Sequence, residues 1–405
     1  MESPGEVARG VAGWGSRVKQ PAGVASCSGQ LEYDAGMDNT WARRLLPIVV
    51  VLALVFVRWG WRSATESLTK HPVFPESLSS ARAGVSTPDP LGEPDAELAA
   101  GLGTIAEELG IAELAARGRA SVMLVDLART AETATGDPVG TATGETVGTA
   151  TETAARHAGI NADSTLAAAS ITKLAILTAA YAAAEAGEIA ITPDMQAVLE
   201  RMIRLSANAE ATRAIEILGF ERIAATMADP RVALYSSARG GLWVGRDFTG
   251  GKVWRLESHS GESLAASAAA VARFYVLLAR GEIVSPEASA AMREILAVTM
   301  WRHKFIAGLG ETAGAARATQ STPARAEDQP IVIPGYKVWR KSGSYGPAQG
   351  DSALIEAEGR RYVLVCLLED REGGEAKLQR LAAHVDQMMA ERNRRGEPAG
   401  GRRNP

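Results

Sequence analysis

Ala167-Ala168-Ala169-Ser170-Ile171-Thr172-Lys173, running on through Leu174-Ala175-Ile176-Leu177-Thr178-Ala179-Ala180-Tyr181, is the stretch on which the reading of this chain turns. From Leu174 to Ala186 it is apolar, holds no Gly or Pro, and is rich in alanine, the strongest helix former. It reads as a helix entered through Ser170 and ending near Gly187. Ser170 and Lys173 stand three apart and share a helix face. A serine hydroxyl attacks poorly until a neighbouring base takes its proton. A lysine can be that base if burial or a nearby cation lowers its pKa. A serine three residues before a lysine is frequent by chance, so the pair gains meaning only from what lies downstream.

Two further short motifs follow in order. Thr192-Pro193-Asp194 starts a helix that runs to about Arg204, with Pro at an early position. It stops at Leu205-Ser206-Ala207-Asn208, and helical spacing resumes through Ile215 and Leu218, so Ser206 and Asn208 sit on a turn between helices. Lys341-Ser342-Gly343 lies on a strand-like stretch, Tyr336 to Ser344. Asp351 to Glu356 and Tyr362 to Leu368 are two more strands, with a hairpin turn at Glu358-Gly359 between them. A Ser-x-Asn is usually a turn, and a Lys-Ser-Gly is usually a strand end. The order and setting of all three are what count.

Together they resemble the penicillin-recognising serine hydrolases, the serine β-lactamases of class A type and the penicillin-binding DD-peptidases. The resemblance covers about residues 95–392. The family's second and third motifs read Ser-Asp-Asn and Lys-Thr-Gly, against Ser206-Ala207-Asn208 and Lys341-Ser342-Gly343 here. The resemblance implies that Ser170 attacks an amide carbonyl and forms an acyl-enzyme, with Lys173 taking or relaying its proton. Ser206 passes a proton to the leaving nitrogen, with Lys341 as its positive neighbour. The oxyanion is held by the backbone N–H groups of Ser170 and Ser344. Asn208 binds a substrate amide, Ser342 with Lys341 binds its carboxylate, and Gly343 leaves room at the strand edge. Strict alternation puts Lys341 and Ser342 on opposite faces, so their joint role rests on the resemblance.

Two departures bear on activity. Class A enzymes deacylate through a glutamate in a Glu-x-x-Leu-Asn pattern after the second motif, and this chain has none. In its place stands a Gly- and Trp-rich stretch at 240–256, read as a structured surface loop. Its neighbouring carboxylates, Asp247, Glu257 and Glu262, lack the expected context and are read as surface residues. Asp351 stands where many class A enzymes place a carboxylate-binding arginine. It would repel a substrate carboxylate unless it turns away or pairs with Arg340 or Arg361. The 36 positions from Ser170 to Ser206 also imply a reduced helical lobe.

Elsewhere, Leu98, Leu102, Ile105 and Leu109 have helical spacing, and Ser121 to Asp126 reads as a buried strand. Glu262 to Arg280 reads as an amphipathic helix with Leu264, Ala268, Val271, Tyr275 and Leu278 on one stripe. Ser285-Pro286 opens another helix that runs to about Val298. A final helix is expected from about Glu375 to Glu391. Residues 130–155, with their near-repeats of Thr-Ala-Thr, and 309–330 read as polar inserts. The expected fold is therefore α/β of the α+β kind: a β-lactamase/transpeptidase-like antiparallel sheet flanked by helices, with an all-helical lobe.

The N-terminal part is organised differently. Residues 1–44 read as disordered, with Met37 as the expected true start. Leu45 to Val57 is a 13-residue apolar run after Arg43 and Arg44, and the whole segment to residue 61 reads as a signal or a retained anchor. Residues 62–94 read as a linker, and the domain as 95–392. Arg392, Arg394, Arg395, Arg402 and Arg403 belong to a basic tail, placed at 393–405. Either membrane reading puts the domain outside the cytoplasm, periplasmic or on the cell surface. The net charge of −4 over 405 residues gives no reason to expect nucleic acid as a partner. The two cysteines, Cys27 and Cys366, suggest no structural disulfide, and no Cys/His spacing suggests zinc. No metal or other cofactor is expected, and the protein is expected to be a monomer acting on a β-lactam or cell-wall peptide. The competing readings are β-lactam hydrolysis, a DD-peptidase or other acyl hydrolase, a penicillin-binding sensor that is acylated once, and a dead site.

Overall fold

The computed structural model of the protein describes residues 89–127, 155–314 and 330–396. The readings of 1–44, of the apolar segment 45–61, of 62–88 in the linker, of all but the last residue of the 130–155 insert, of 315–329 and of 397–405 lie outside these residues, as do Met37 and Cys27. Among the described residues no helix is long and apolar enough to cross a membrane, and no cluster of His, Cys, Asp or Glu could hold a metal ion.

A six-stranded sheet forms the frame. Its order is β1 (Glu93–Pro94), β3 (Arg156–Ile160), β2 (Ala120–Asp126), β11 (Arg360–Glu369), β10 (Ala348–Ala357) and β9 (Lys337–Tyr345). Every pairing is antiparallel except the short β1–β3 contact. The central strands are apolar throughout because both faces are covered. Met123, Val125, Val363, Val365 and Leu367 point into one core. Val122, Leu124, Leu364, Cys366 and Leu368 alternate into the other. The Gly359 turn joins β10 to β11 with the left-handed φ of 71° that suits glycine.

One face is covered by α1 (Ala96–Glu108), α2 (Ile111–Ala116), α9 (Phe305–Thr312) and α10 (Gly374–Gly396). The other carries α7 (Ala268–Arg280) and the helical lobe: α3 (Lys173–Glu185), α4 (Pro193–Arg204), α5 (Asn208–Leu218), α6 (Phe220–Ala228) and α8 (Pro286–Leu296). Helix α3 is buried along nearly its whole length, from Lys173 to Tyr181. A helix apolar all round belongs in the middle of a lobe, and its alanines let neighbours approach closely. Thr192 and Ser285 cap α4 and α8, each with proline at the start.

Several boundaries differ from the sequence expectation. Leu264–Ser267 is a strand, β8, paired with β4 (Thr165–Ala167), and helix begins only at Ala268. Ser267 is the reason: its side chain accepts from Ala270 N and caps α7. The Gly-rich stretch is not a surface loop at its start. Gly240 to Gly245 is buried and contributes the short strands β6 (Gly240–Gly241), which pairs with β5 (Tyr235–Ser236), and β7 (Trp243–Val244). Trp243 stacks with Trp254 and packs on Tyr235, which pulls the segment inward. Residues 309–312 belong to α9 rather than to a polar insert. The last helix runs to Gly396, past its expected end near Glu391. Arg392 fastens that turn through Asp95 at 2.6 Å, Glu97 at 2.7 Å and Asp126 at 3.1 Å, so it is no tail residue.

Candidate active site

Ser170 stands on a 3-10 turn, Ala169–Thr172, that leads directly into α3. Ala169 just before it has φ 46°, and the Thr172 hydroxyl donates to Ala169 O at 2.8 Å, locking the turn. A non-glycine residue held in that region costs about 1–3 kcal/mol and marks an over-determined site. Ser170 is half-buried, and its hydroxyl has no hydrogen-bond partner among the described residues. Its N–H lies in the first turn of the helix, where no preceding carbonyl is available and the helix dipole favours negative charge.

The turn is met by the edge strand β9 at Gly343. A Cβ on Gly343 would lie 2.5 Å from Ala168 O and 3.0 Å from both Ser170 N and Ile171 N. Glycine is required there by close approach of two backbones. Gly343→Ala is expected to push β9 off the Ser170 turn. Acylation of Ser170 should drop about tenfold or more, with a stability loss of about 1–3 kcal/mol. Labelling kinetics beside a denaturation curve would check both.

Lys173 and Lys341 are both buried, at 0% and 2% exposure, and Ser206 lies between them. The Lys341 ammonium donates to Ser206 Oγ at 2.9 Å and to Ser342 O at 2.9 Å. Lys173 Nζ donates to Ser206 O at 2.6 Å and to Asn208 Oδ1 at 2.9 Å, with Ser206 Oγ at 3.5 Å. No bond joins Lys173 to Ser170 in this arrangement. Ser206 itself takes φ 55°, a strained conformation that turns its carbonyl and hydroxyl together toward the amines. Asn208 opens α5 and is exposed apart from its bond to Lys173. The three motifs thus converge through Ser206, although they are far apart in sequence.

Burial governs the charge state. Desolvation pushes the Lys173 amine down to about 7, against a smaller upward pull from Glu210. Lys341 is lowered well below its ordinary value by burial, and further by the charges of Lys173 and Arg340. Glu210 is itself held by Arg201 at 2.9 Å, which keeps it ionised. A neutral amine one turn from a serine is what a proton acceptor requires.

Four residues outside the motifs shape the site. The Phe248 ring lies over Lys173 Nζ, 4.7 Å from its centroid. Lys304 is 1% exposed and donates to Gly343 O, Ser344 Oγ and Gly350 O. Arg340 and Asp351 form a buried pair at 2.7 Å, with side-chain exposures of 3% and 0%. Asp351, opposite Ser342 in register, also accepts from Phe305 N at the start of α9, so its carboxylate is committed to Arg340 and that N–H. Arg361 pairs with Glu356 instead. Phe248 and Lys304 sit in irregular segments with no periodic pattern, and the sequence carried no signal for either. The Arg340–Asp351 pair was one of two options open from sequence.

The carboxylates of the Gly- and Trp-rich region are committed elsewhere. Asp247 accepts from the N–H groups of Thr249, Gly251 and Lys252 and closes its own loop. Glu257 is buried at 1% exposure, contrary to the surface expectation, because it accepts from His259 N, from Ser260 N and Oγ, and from Tyr235 Oη. Glu262 is exposed. Ser342 is half-buried, and Ser344 is exposed at the rim.

The solved structures similar to this chain include a β-lactamase from Sphaerobacter thermophilus DSM 20745, at 16% identity and a TM-score of 0.48, covering 72% of this chain and 97% of that one. PBP-A is similar at 16% identity and 0.48, covering 76% and 100%. An ancestral class A β-lactamase is similar at 18% and 0.47, covering 70% and 99%. No curated protein matches the chain. Residues 191–388 match the profile of the beta-lactamase enzyme family, a span that begins after Ser170 and Lys173 and takes in Ser206, Asn208 and Lys341 to Ser344. Over this span the chain is similar to the beta-lactamase enzyme family, and the fold brings Lys173 of the first motif and Lys341 of the third to Ser206 of the second.

Proposed function

We propose that this protein is a penicillin-recognising serine acyl-transfer enzyme, acylated at Ser170 by a β-lactam or a related amide, that releases the acyl group slowly. The observation that carries the reading is the Ser206 hydroxyl held between two buried, pKa-lowered lysines, Lys341 from the edge strand and Lys173 one turn from Ser170. Neutral Lys173 takes the Ser170 proton as Oγ bonds to the carbonyl carbon. The oxyanion is met by the N–H groups of Ser170 and Ser344. Ser206 then gives its proton to the leaving nitrogen as the C–N bond breaks, and is reprotonated from the lysine pair. Asn208 receives a substrate amide, and Lys341 with Ser342 its carboxylate.

Hydrolysis of the acyl-enzyme needs a second proton acceptor to activate water. An aromatic ring covers Lys173, and Asp247 and Glu257 are spent on their own loops. This favours a DD-peptidase-like enzyme or a sensor over a fast β-lactamase. The full-length protein mixed with a penicillin is expected to gain one adduct by intact mass that persists for hours, and Ser170→Ala to gain none. An adduct on Ser170→Ala, or no adduct on folded wild type, sinks the reading. Phe248→Glu is expected to shorten the adduct's life by about tenfold or more, the lower range of general-base effects. We also propose an extracytoplasmic location, supported by the apolar run Leu45 to Val57. Protease treatment of intact cells that left the domain uncut would count against it.

A further inference from the structure

The Phe248 ring reaches Lys173 from an irregular segment, so neither a helix nor a strand holds it there. The stem of that segment is firm. Gly245 N donates to Ser263 O at 2.7 Å, Trp254 N donates to Gly245 O at 2.7 Å, and Arg246 bridges to Val253. Trp254 stacks on Phe220 and on Trp243. The tip lacks such packing: Thr249, Gly250, Gly251 and Lys252 are exposed.

Two side chains hold the tip. Asp247 Oδ1 accepts from Thr249 N at 3.0 Å and Gly251 N at 2.9 Å, and its Oδ2 accepts from Lys252 N at 2.9 Å. Desolvation pulls the Asp247 carboxyl up, but the three N–H groups and Arg246 outweigh it and hold it below the usual carboxylate range. These are therefore bonds to an ion, the stronger kind. A Cβ on Gly251 would run into that carboxylate, so the turn needs glycine there. The second side chain is Thr212, whose Oγ1 accepts from Phe248 N at 3.1 Å and lies 3.4 Å from Thr249 Oγ1. Thr212 stands four residues after Asn208 on α5, and the two share a face. Asn208 Oδ1 accepts from Lys173 Nζ. One face of α5 thus holds both the amine and the ring above it.

We infer that Asp247 and Thr212 form a latch that keeps Phe248 over Lys173 and so sets how long the acyl group stays on Ser170. Both are positioning residues that act through Phe248. With the ring in place Lys173 is 0% exposed and water is kept from it. With the ring displaced, a water beside neutral Lys173 gives the amine its proton as the water oxygen bonds to the acyl carbon. The tetrahedral carbon then releases Ser170 Oγ, which takes the proton back from Lys173, and the acyl group leaves as a free acid. The inference deepens the reading of Ser170 as the acylated nucleophile and rests on it.

The test uses full-length wild type, Asp247→Ala, Thr212→Val, Phe248→Ala and the double variant of Asp247→Ala with Phe248→Ala. Each is loaded with benzylpenicillin, freed of drug and followed by intact mass. Asp247→Ala should shorten the life of the adduct by about tenfold or more, the loss of bonds to an ionised acceptor, and Thr212→Val by about threefold or more, the loss of one neutral bond. Adding Asp247→Ala to Phe248→Ala should change the life by less than about twofold, because a latch with no ring to hold has no effect. The same shortening with and without the ring marks general loosening and overturns the inference.

The pH profile of acylation supplies a sign. The charged groups around Lys173 are Glu210 on α5, Lys341 on β9, and Arg246, Asp247 and Lys252 on the loop. Removing the Asp247 charge by itself would lower the Lys173 pKa, whereas letting water in raises it. The midpoint should therefore move up from about 7 in both Asp247→Ala and Thr212→Val. A downward move, or none, overturns the inference. Acetylation of Lys173 by acetic anhydride, read by peptide mass, needs no reaction at Ser170 and should be faster in both variants. If penicillin leaves wild type unlabelled, the β-lactam reading falls and this acetylation decides the latch: faster in both variants supports it, unchanged overturns it. If Asp247→Ala does not fold, Thr212→Val decides, because it removes one acceptor and leaves the Asp247 bonds in place.

Discussion

Lys173→Met is expected to lower the acylation rate of Ser170 by about 10²- to 10⁴-fold, the range of a positioned proton acceptor. The rate of the wild-type protein should climb with pH and level off above about 7, where burial has set the Lys173 amine. The variant should lose that step. The same burial has a cost in stability. An unfolded lysine titrates near about 10.4, so between about 7 and about 10 the unfolded chain holds more protons at this position than the folded one. Stability from this group therefore rises with pH across that window, and its cost is complete below about 7. Lys341 is displaced in the same direction and adds to the trend. Lys173→Met should be at its most stable relative to wild type near pH 7, with the difference moving in favour of wild type toward pH 10. Denaturation curves at both pH values, beside stopped-time labelling, check the two halves. A variant that acylates at the wild-type rate would remove Lys173 from the mechanism.

Asp351→Ala is expected to destabilise the domain by about 3–5 kcal/mol, because it strands the Arg340 guanidinium in a dry interior. The pair is bidentate in effect: Arg340 Nε and Nη2 both reach the carboxylate, and the remaining donor reaches Thr299 Oγ1 and Trp301 O. Phe305 N would also lose its acceptor at the start of α9. Replacing both partners with apolar residues, as in R340M with D351L, should recover most of the loss, since two buried charges gain little over a well-packed apolar pair. Midpoints of urea unfolding at constant slope measure both changes. A single-variant loss under about 1 kcal/mol would show that solvent reaches the guanidinium.

Each of the three motifs was legible because it sits where a period changes. Ser170 precedes an unbroken apolar run, Ser206 interrupts two helical patterns, and Lys341 lies in alternating strand sequence. The strands of the sheet and the buried α3 were equally plain, because apolar runs covered on both sides leave little ambiguity. Boundaries set by one side chain were harder. Ser267 ends a strand and caps a helix, and the apolar stripe around Leu264 fits either form. Glu257 read as a surface acid because nothing in a linear string shows that His259, Ser260 and Tyr235 will satisfy it. Arg392 read as tail because its three acidic partners lie in the first strands and helix of the domain.

From residues alone came the order of the motifs, the helical lobe, the antiparallel sheet and the absence of a deacylating glutamate pattern. These are local properties: spacing, propensity and the presence or absence of a residue type. The tertiary structure alone decided that Ser206 is shared by two amines, that Phe248 covers Lys173, that Asp351 is neutralised by Arg340, and that Lys304 stands behind Ser344. The physical reason is that pKa, polarity and access depend on what the fold brings within a few ångströms and on how much water it excludes. Neither quantity is written in the neighbours along the chain.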